Sequence, residues 1–291
     1  MGNMMTLIFN GISEGAHIFL MASSLSVILG LMRVVNFAHG ALFLWGAYIF
    51  HSIFDITGSF PLGIVAAVVG CFILGFIFEK VFISRVYGNI GAQIMITLGL
   101  QIVFTEIVRT LPFWGPSAHI VTRPEYLQGT TQFANGFILT HYRLFLIIVS
   151  VVLAAIGHFV LTRTRAGMTI RAGVQNSEMV GALGININRY FTMVFAVGAA
   201  LAGLGGALFA PLINSVSPAI GMSQQLLAFI VVIIGGMGSF VGSMLGSIFL
   251  GIMVALVGWF WPDISLVAPV ALMALVLIFR PQGLFGLAVK K

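Results

Sequence analysis

The stretch LFLIIVSVVLAAIGHFVL, residues 144–161, decides the class of fold because it contains no Asp, Glu, Lys or Arg. An α-helix needs about 20 predominantly apolar residues to cross the hydrocarbon core of a bilayer. The stretch also lacks the alternation of polar and apolar residues that is typical of a membrane β-barrel strand. Since backbone polar groups in lipid must be hydrogen-bonded within the protein, it predicts a transmembrane helix.

Apolar runs of this kind recur along the whole chain, separated by polar residues or by glycine and proline. They predict an all-α, polytopic transmembrane helical bundle with about nine spans, or eight to ten given the uncertain boundaries. Residues 1–291 are expected to form a single transmembrane domain. The predicted segments are 7–29, 38–54, 62–79, 92–109, 144–161, 190–212, 223–236, 240–259 and 264–279.

Composition supports lipid as the main solvent. Of the 291 residues, 60% are hydrophobic and only 7% are charged, whereas soluble domains carry roughly 25% charged residues. The 13 Lys and Arg residues exceed the 7 Asp and Glu, but they lie singly between apolar runs, so no nucleic-acid partner is expected. The one cysteine, Cys71, excludes a disulfide framework, and the histidines show no ligand spacing, so no metal site is expected.

The basic residues predict the orientation of the chain. If the N-terminus lies outside and the spans alternate, most Lys and Arg residues fall on the cytoplasmic side, as the positive-inside rule requires. This places the C-terminus in the cytoplasm and requires an odd number of spans. The residues then inside are Arg33, Lys80, Arg85, Arg163, Arg165, Arg171, Arg189, Arg280, Lys290 and Lys291; those outside are Arg109, Arg123 and Arg143.

Two loops are long enough to carry function. The loop at about 112–142 falls outside and is expected to form an irregular cap. The loop at about 162–189 falls inside, is basic and contains no proline. Its interleaved apolar residues predict one or two short amphipathic helices that end at Gly184. It could dock a soluble partner or lie on the inner leaflet.

Polar side chains at membrane depth are the first candidates for a solute path, because they usually face a bundle interior or a watery cavity. Asn36, His39 and Gly40 follow the first segment, where the chain either turns in the cytoplasm or breaks within the membrane. Thr97 and Gln101 share one face of the fourth segment with Thr105. Helix–helix hydrogen bonding is the alternative role for each of these residues.

Glycines form the second candidate feature. Gly235, Gly236, Gly238 and Gly242 surround a break between two apolar runs and could form a hinge. Small residues also allow helix backbones to approach closely in lipid, so plain packing is the alternative. Glu79 and Lys80 lie at the border of a segment, where long charged side chains usually extend towards water.

Catalytic motifs are missing from the sequence. It has no GxSxG, no P-loop and no HExxH, so neither a catalytic site nor ATP hydrolysis by this chain alone is expected. A stand-alone secondary carrier would need a relay of membrane carboxylates for its coupling ion, and no such relay is expected beyond Glu106. A membrane enzyme would need a clustered polar site near one face. These two classes remain alternatives to a transport subunit.

Several motifs, in order, resemble the LivH-type permeases of branched-chain amino-acid ABC importers. The resemblance covers most of the chain. It is carried by Met32–Gly40 (MRVVNFAHG), Leu183–Asn186 with Arg189, Gly198–Gly203 (GAALAG), Gly235–Ser239 with Gly242, and Phe279–Gly286 (FRPQGLFG).

The resemblance implies a multi-pass protein of the bacterial cytoplasmic (inner) membrane that works with other subunits. Those partners are two ATP-binding subunits, which would bind ATP and Mg, a second homologous permease and an extracytoplasmic solute-binding protein. Arg171, Glu178 and Gly184 would then couple the 162–189 loop to an ATP-binding subunit. Classical permeases carry Glu-Ala-Ala-x-x-x-Gly there, whereas Glu178 is followed by Met179 and Val180. The implied substrate is a branched-chain amino acid, although relatives move urea, amides or other small organic solutes.

Overall fold

The computed structural model describes residues 2–32, 34–134 and 136–285, and within these ranges the chain is mainly helical. Arg33, Gly286, Lys290 and Lys291, on which parts of the sequence argument rest, lie outside the described residues. The helices are Gly2–Met32 (α1), His39–Thr57 (α2), Phe60–Val81 (α3), Ile90–Thr110 (α4), His141–Arg163 (α5), Arg165–Gln175 (α6), Ser177–Ala182 (α7), Ile187–Ile213 (α8), Ile220–Gly235 (α9), Phe240–Phe260 (α10) and Ala268–Phe279 (α11).

Each of the nine predicted apolar segments coincides with an apolar helix. Within the described residues, seven helices (α1, α2, α3, α4, α5, α8 and α10) are long and apolar enough to cross a membrane. The other two, α9 and α11, have 16 and 12 residues. At 1.5 Å per residue they measure about 24 and 18 Å, less than the ~30 Å hydrocarbon core. The helix lengths therefore support a polytopic helical protein with at least seven candidate spans among the described residues.

Helices α1 and α8 occupy the centre of the bundle, where most of their residues are buried. Close backbone contacts hold this centre together. A Cβ added to Gly15 in α1 would lie 2.5 Å from the carbonyl oxygen of Ser247 in α10. A Cβ added to Gly206 in α8 would overlap the carbonyl of Phe43 in α2. Glycine at these crossings lets helices approach closely where lipid supplies no hydrophobic driving force.

The 112–142 loop is more ordered than the irregular cap expected from sequence. It contains His119–Ile120 (β1), Thr130–Gln132 (β2) and Ile138–Thr140 (β3), and β2 pairs antiparallel with β3. Strand β1 pairs with Ser215–Val216 (β4), directly after α8. Arg123 donates to the carbonyls of Pro211 and Leu212 at 3.0 and 2.9 Å. Because the β1–β4 pairing and the Arg123 bonds join residues that are far apart in sequence, local composition gave no sign of them.

The 162–189 loop contains two short helices, as predicted. Thr164 and Asn176 cap α6 and α7 through side-chain oxygens that accept from the N–H groups of Gly167 and Met179. After α7, Gly184 has φ +81, a left-handed conformation that glycine adopts readily at a helix end. The predicted stop at this glycine is thus confirmed.

Candidate solute path at a buried chain break

The segment between α1 and α2 is a buried chain reversal. Residues 34–38 are not helical, and Val34, Asn36 and Ala38 are fully buried. Helices α1 and α2 run antiparallel, because Ser24 contacts His39 while His17 packs on Phe43.

The depth of this reversal is set by the helices that enclose it. Oγ1 of Thr97 lies 3.3 Å from the carbonyl oxygen of Val35, and Thr97 is seven residues inside α4, or about 10 Å at 1.5 Å per residue. Gln225, which is ten residues or about 15 Å from the end of α9, donates from Nε2 to the carbonyl of Asn36 at 3.2 Å. The reversal is therefore enclosed by the helix bundle.

Hydrogen bonds within the reversal define its shape. Oδ1 of Asn36 accepts from the N–H of Ala38 at 3.0 Å, which turns the chain into α2. Nε2 of His39 lies 2.8 Å from the hydroxyl oxygen of Ser24. Gln101 donates to Oγ1 of Thr105 at 3.3 Å, so the face of α4 predicted from spacing is confirmed as a polar face.

Gly40 lies where α2 meets both α4 and α9. A Cβ at this position would be 2.5 Å from the carbonyl oxygen of Gly221 and 3.1 Å from Oε1 of Gln101. A backbone carbonyl cannot move aside as the end of a side chain can. Glycine is therefore required for α9 to approach the break.

Four buried polar atoms around the break have no hydrogen-bond partner among the described residues. They are Nδ2 of Asn36, Nδ1 of His39, Oε1 of Gln101 and Oε1 of Gln225. Buried polar atoms without partners are costly and need an explanation, such as a ligand or water that completes them. Their grouping at one break, with both donors and acceptors free, is suited to contacting a small polar solute.

Three of the residues around the break were missed by sequence reasoning. Ser24 and Gln225 both contact the break, yet each lies within a predominantly apolar helix. The Gln224–Gln225 pair was the available signal, because two carboxamides stand out in an apolar helix. The sequence carried no such signal for Gly221, since the role of this glycine depends on its contact with Gly40 on another helix.

A cavity of about 410 Å³ lies beside this break, between α1, α5, α6, α8 and α10. Its walls are almost wholly apolar, and Ser24 on α1 forms part of them. Ala166 and Ile170 of α6 close it on the side of the 162–189 loop. The cavity therefore joins the neighbourhood of the polar break to the loop predicted to couple to a soluble partner.

The glycines predicted as a hinge form a tightly packed turn between α9 and α10. Gly236 and Gly238 have φ +99 and +83, and a Cβ on Gly242 would overlap the carbonyl of Gly235. The N–H groups of Leu284 and Phe285 donate to the carbonyls of Ile234 and Gly235 at 2.8 and 3.1 Å. These contacts favour the packing interpretation.

The predicted coupling residues are placed as follows. Arg171 is exposed on α6 and donates to the carbonyl of Leu161 at the end of α5. Glu178 belongs to α7, but its side chain lies outside what the structure describes. Gly184 faces open space. The apolar side chains of Met179 and Leu183 beside it are 59% and 74% exposed, so the end of the loop offers an apolar surface.

Glu79 does not extend towards water as sequence position suggested. The residue is 1% exposed, and Tyr87 donates its hydroxyl to Oε1 of Glu79. Burial, together with the hydrogen bond and the charge of Glu79, raises the pKa of the Tyr87 phenol well above its usual range, which keeps the donor protonated. Lys80 is exposed, as expected, and its Nζ lies 5.4 Å from the centre of the Phe76 ring.

A bundle of apolar helices with free polar groups at a buried break is the arrangement expected of a membrane-embedded solute permease. Comparison with known proteins gives the family. The model described as "Branched-chain amino acid transport system / permease component" matches residues 7–277, and the chain belongs to that family.

Similar proteins cover almost the full chain. It is 27% identical to the high-affinity branched-chain amino acid transport system permease protein BraD of Pseudomonas aeruginosa, over 95% of this chain and 94% of the relative. It is 27% identical to LivH of Escherichia coli K12, over 96% and 94%. LivM of the same strain, a second permease protein, is 30% identical over 89% of this chain and 65% of its own length. No solved structure matches.

Proposed function

We propose that this chain imports branched-chain or other hydrophobic amino acids through the cytoplasmic membrane, as the permease subunit of an ABC importer. Separate ATP-binding subunits power it, and those subunits bind ATP and Mg. The observation that carries the proposal is the buried break at Asn36 and His39, whose free polar atoms lie inside the helix bundle of a chain of this permease family.

The proposed topology has nine spans, with the N-terminus outside and the C-terminus in the cytoplasm. The short helices α9 and α11 are then the seventh and ninth spans. The charge distribution supports this orientation, because it places Arg163, Arg165 and Arg171 together on the cytoplasmic side. Helices α6 and α7 are then cytoplasmic.

Coupling to the ATP-binding subunit takes place on α6 and α7 through Arg171, Glu178 and the Gly184 turn. The exposed Met179 and Leu183 supply the apolar contact area. Ile170 of α6 packs into the bundle and lines the cavity beside the break, so displacement of α6 changes the shape of that cavity. Motion produced by ATP hydrolysis therefore reaches the solute path.

The family and its members support the remaining proposed partners. A second permease completes the membrane unit, in line with the separate permease protein LivM among the relatives. An extracytoplasmic solute-binding protein delivers the substrate to the side that carries the 112–142 loop.

The test is ATP-driven uptake in proteoliposomes that contain the purified subunits. Labelled leucine is supplied with its binding protein, and uptake is measured with ATP and with a non-hydrolysable analogue inside. We expect leucine uptake with ATP inside the liposomes and none with the non-hydrolysable analogue. If this chain purifies by itself and moves leucine without ATP, it is a secondary carrier or channel. If urea or a short amide is taken up in place of leucine, the amino-acid substrate is wrong while the importer stands.

A further inference from the structure

A polar cleft of about 520 Å³ lies between the end of α3 and the start of α8, away from the central break. Its size is within the ~300–1,000 Å³ usual for small-molecule sites. One wall is formed by Glu79, Lys80 and Tyr87, and the other by Asn186, Asn188 and Arg189. The ammonium of Lys80 lies over the Phe76 ring and forms no ion pair with Glu79 within the described residues. In the proposed topology it opens to the cytoplasm.

The buried carboxylate of Glu79 is the feature that points to a ligand. Its Oε1 accepts from Tyr87, but its Oε2 is buried without a hydrogen-bond partner among the described residues. Within those residues Glu79 forms no ion pair either. Removing a carboxylate from water without pairing it is costly, so a cationic group that donates hydrogen bonds would stabilise this wall.

The opposite wall carries the complementary charge. Arg189 is exposed, and its guanidinium has no hydrogen bond or ion pair to another described residue. The carboxamides of Asn186 and Asn188 lie beside it. A planar guanidinium recognises a carboxylate through two parallel hydrogen bonds. The cleft thus has an acceptor for an ammonium on one side and donors for a carboxylate on the other.

An apolar surface adjoins these polar groups. The side chains of Phe76 and Met193 line the same cleft and are 38% and 57% exposed. Met193 and Arg189 also line the apolar cavity of about 410 Å³ beside the break. A ligand with both charges and an apolar side chain would match all three surfaces.

We infer that this cleft binds a free hydrophobic α-amino acid in zwitterionic form, on the side where the transported substrate is released. The ammonium group binds Glu79, the carboxylate binds Arg189, and the side chain lies against Phe76 and Met193. The inference rests on the proposed function and orientation. It identifies a site on the exit side of the permease, where the transported amino acid binds as it accumulates in the cytoplasm.

The experiment measures binding of labelled L-leucine to the purified full-length chain in nanodiscs, without a solute-binding protein. Glu79→Gln removes the charge while keeping an acceptor for Tyr87, and Arg189→Gln tests the other end of the ligand. Glu106→Gln is the matched control, because Glu106 lies in a different, exposed ion pair with Arg109. Thermal unfolding of each variant verifies that it is folded.

We expect Glu79→Gln and Arg189→Gln each to weaken leucine binding at least about tenfold, and Glu106→Gln to leave it unchanged. 4-Methylpentanoate, which lacks the ammonium, and 3-methylbutylamine, which lacks the carboxylate, should each compete at least about tenfold more weakly than leucine. Leucine binding that both cleft variants leave unchanged, or equal competition by 4-methylpentanoate, would overturn the site.

The uptake assay separates the two proposals. If ATP-driven leucine uptake is observed but the cleft variants bind leucine normally, the exit site is wrong and the importer function stands. If leucine binding depends on Glu79 and Arg189 but uptake needs no ATP, the site stands and the importer function is wrong.

Discussion

The hydroxyl oxygen of Ser24 lies 2.8 Å from Nε2 of His39, and this contact joins α1, about two turns before its end, to the first residue of α2. Both residues are buried, with 2% and 0% of their surfaces exposed. The hydroxyl also donates to the carbonyl of Met21 at 2.9 Å, so it accepts from the imidazole. The bond thereby holds His39 in place at the start of α2.

Ser24→Ala should destabilise the bundle, because the buried Nε2 of His39 loses its partner. We expect a loss of about 1 kcal/mol in the free energy of unfolding, as for other hydrogen bonds between membrane helices. Thermal unfolding in detergent measures it. Ser23→Ala is the control, since among the described residues the Ser23 hydroxyl bonds only to the carbonyl of Leu20 in its own helix. Equal melting temperatures of the two variants would contradict the role of the Ser24–His39 bond.

Gly40→Ala should disrupt the crossing of α2 and α9. The added methyl group would lie 2.5 Å from the carbonyl oxygen of Gly221, and overpacking of this kind costs about 1–3 kcal/mol. The yield of monodisperse protein and its melting temperature should both fall. Gly99→Ala on α4 is the matched control, because a Cβ at Gly99 would have no atom within 4 Å. That control should be neutral or slightly stabilising.

Gln225→Leu should lower transport more than it lowers stability. The change removes the donor to the carbonyl of Asn36 and one of the free acceptors at the break. We expect a loss of ATP-driven leucine uptake of about tenfold, the equivalent of one or two hydrogen bonds. Gln224→Leu at the preceding position provides the comparison, because no hydrogen bond joins Gln224 to the break within the described residues. Normal uptake by the Gln225→Leu variant would show that Gln225 is not part of the solute path.

Gly184→Val should insert normally but lose transport. At φ +81 a β-branched residue is strained by about 1–2 kcal/mol, which would displace the end of α7. Gly184→Asn tolerates this conformation and should keep most of the activity. Gly181→Ala tests added size alone, since a Cβ at either glycine meets nothing within 4 Å. Wild-type uptake by Gly184→Val would contradict the coupling role of the turn.

Periodicity and composition predicted the parts of this fold that depend on local sequence. The apolar runs predicted the helices because each run must satisfy its backbone in lipid by itself. The two short helices of the 162–189 loop and the end at Gly184 followed from interleaved apolar residues and a glycine. The polar face of Thr97, Gln101 and Thr105 followed from a spacing of four.

Contacts between distant residues could not be predicted in this way. The enclosure of Asn36 by Gln225 depends on how α9 crosses α2, which a single sequence does not encode as a pattern. Glu79 was placed at a watery border because it neighbours Lys80. It is buried instead and accepts a hydrogen bond from Tyr87, eight residues later, after a 3₁₀ turn at Ile83–Val86.

The backbone bonds from Leu284 and Phe285 to Ile234 and Gly235 make the end of the described chain part of the fold. A truncation before Gly283 would leave those two carbonyls without donors and uncover the glycine turn. Such a product is expected to be degraded by quality-control proteases instead of accumulating in the membrane. Affinity tags and fluorescent reporters should therefore follow a linker that starts beyond Phe285.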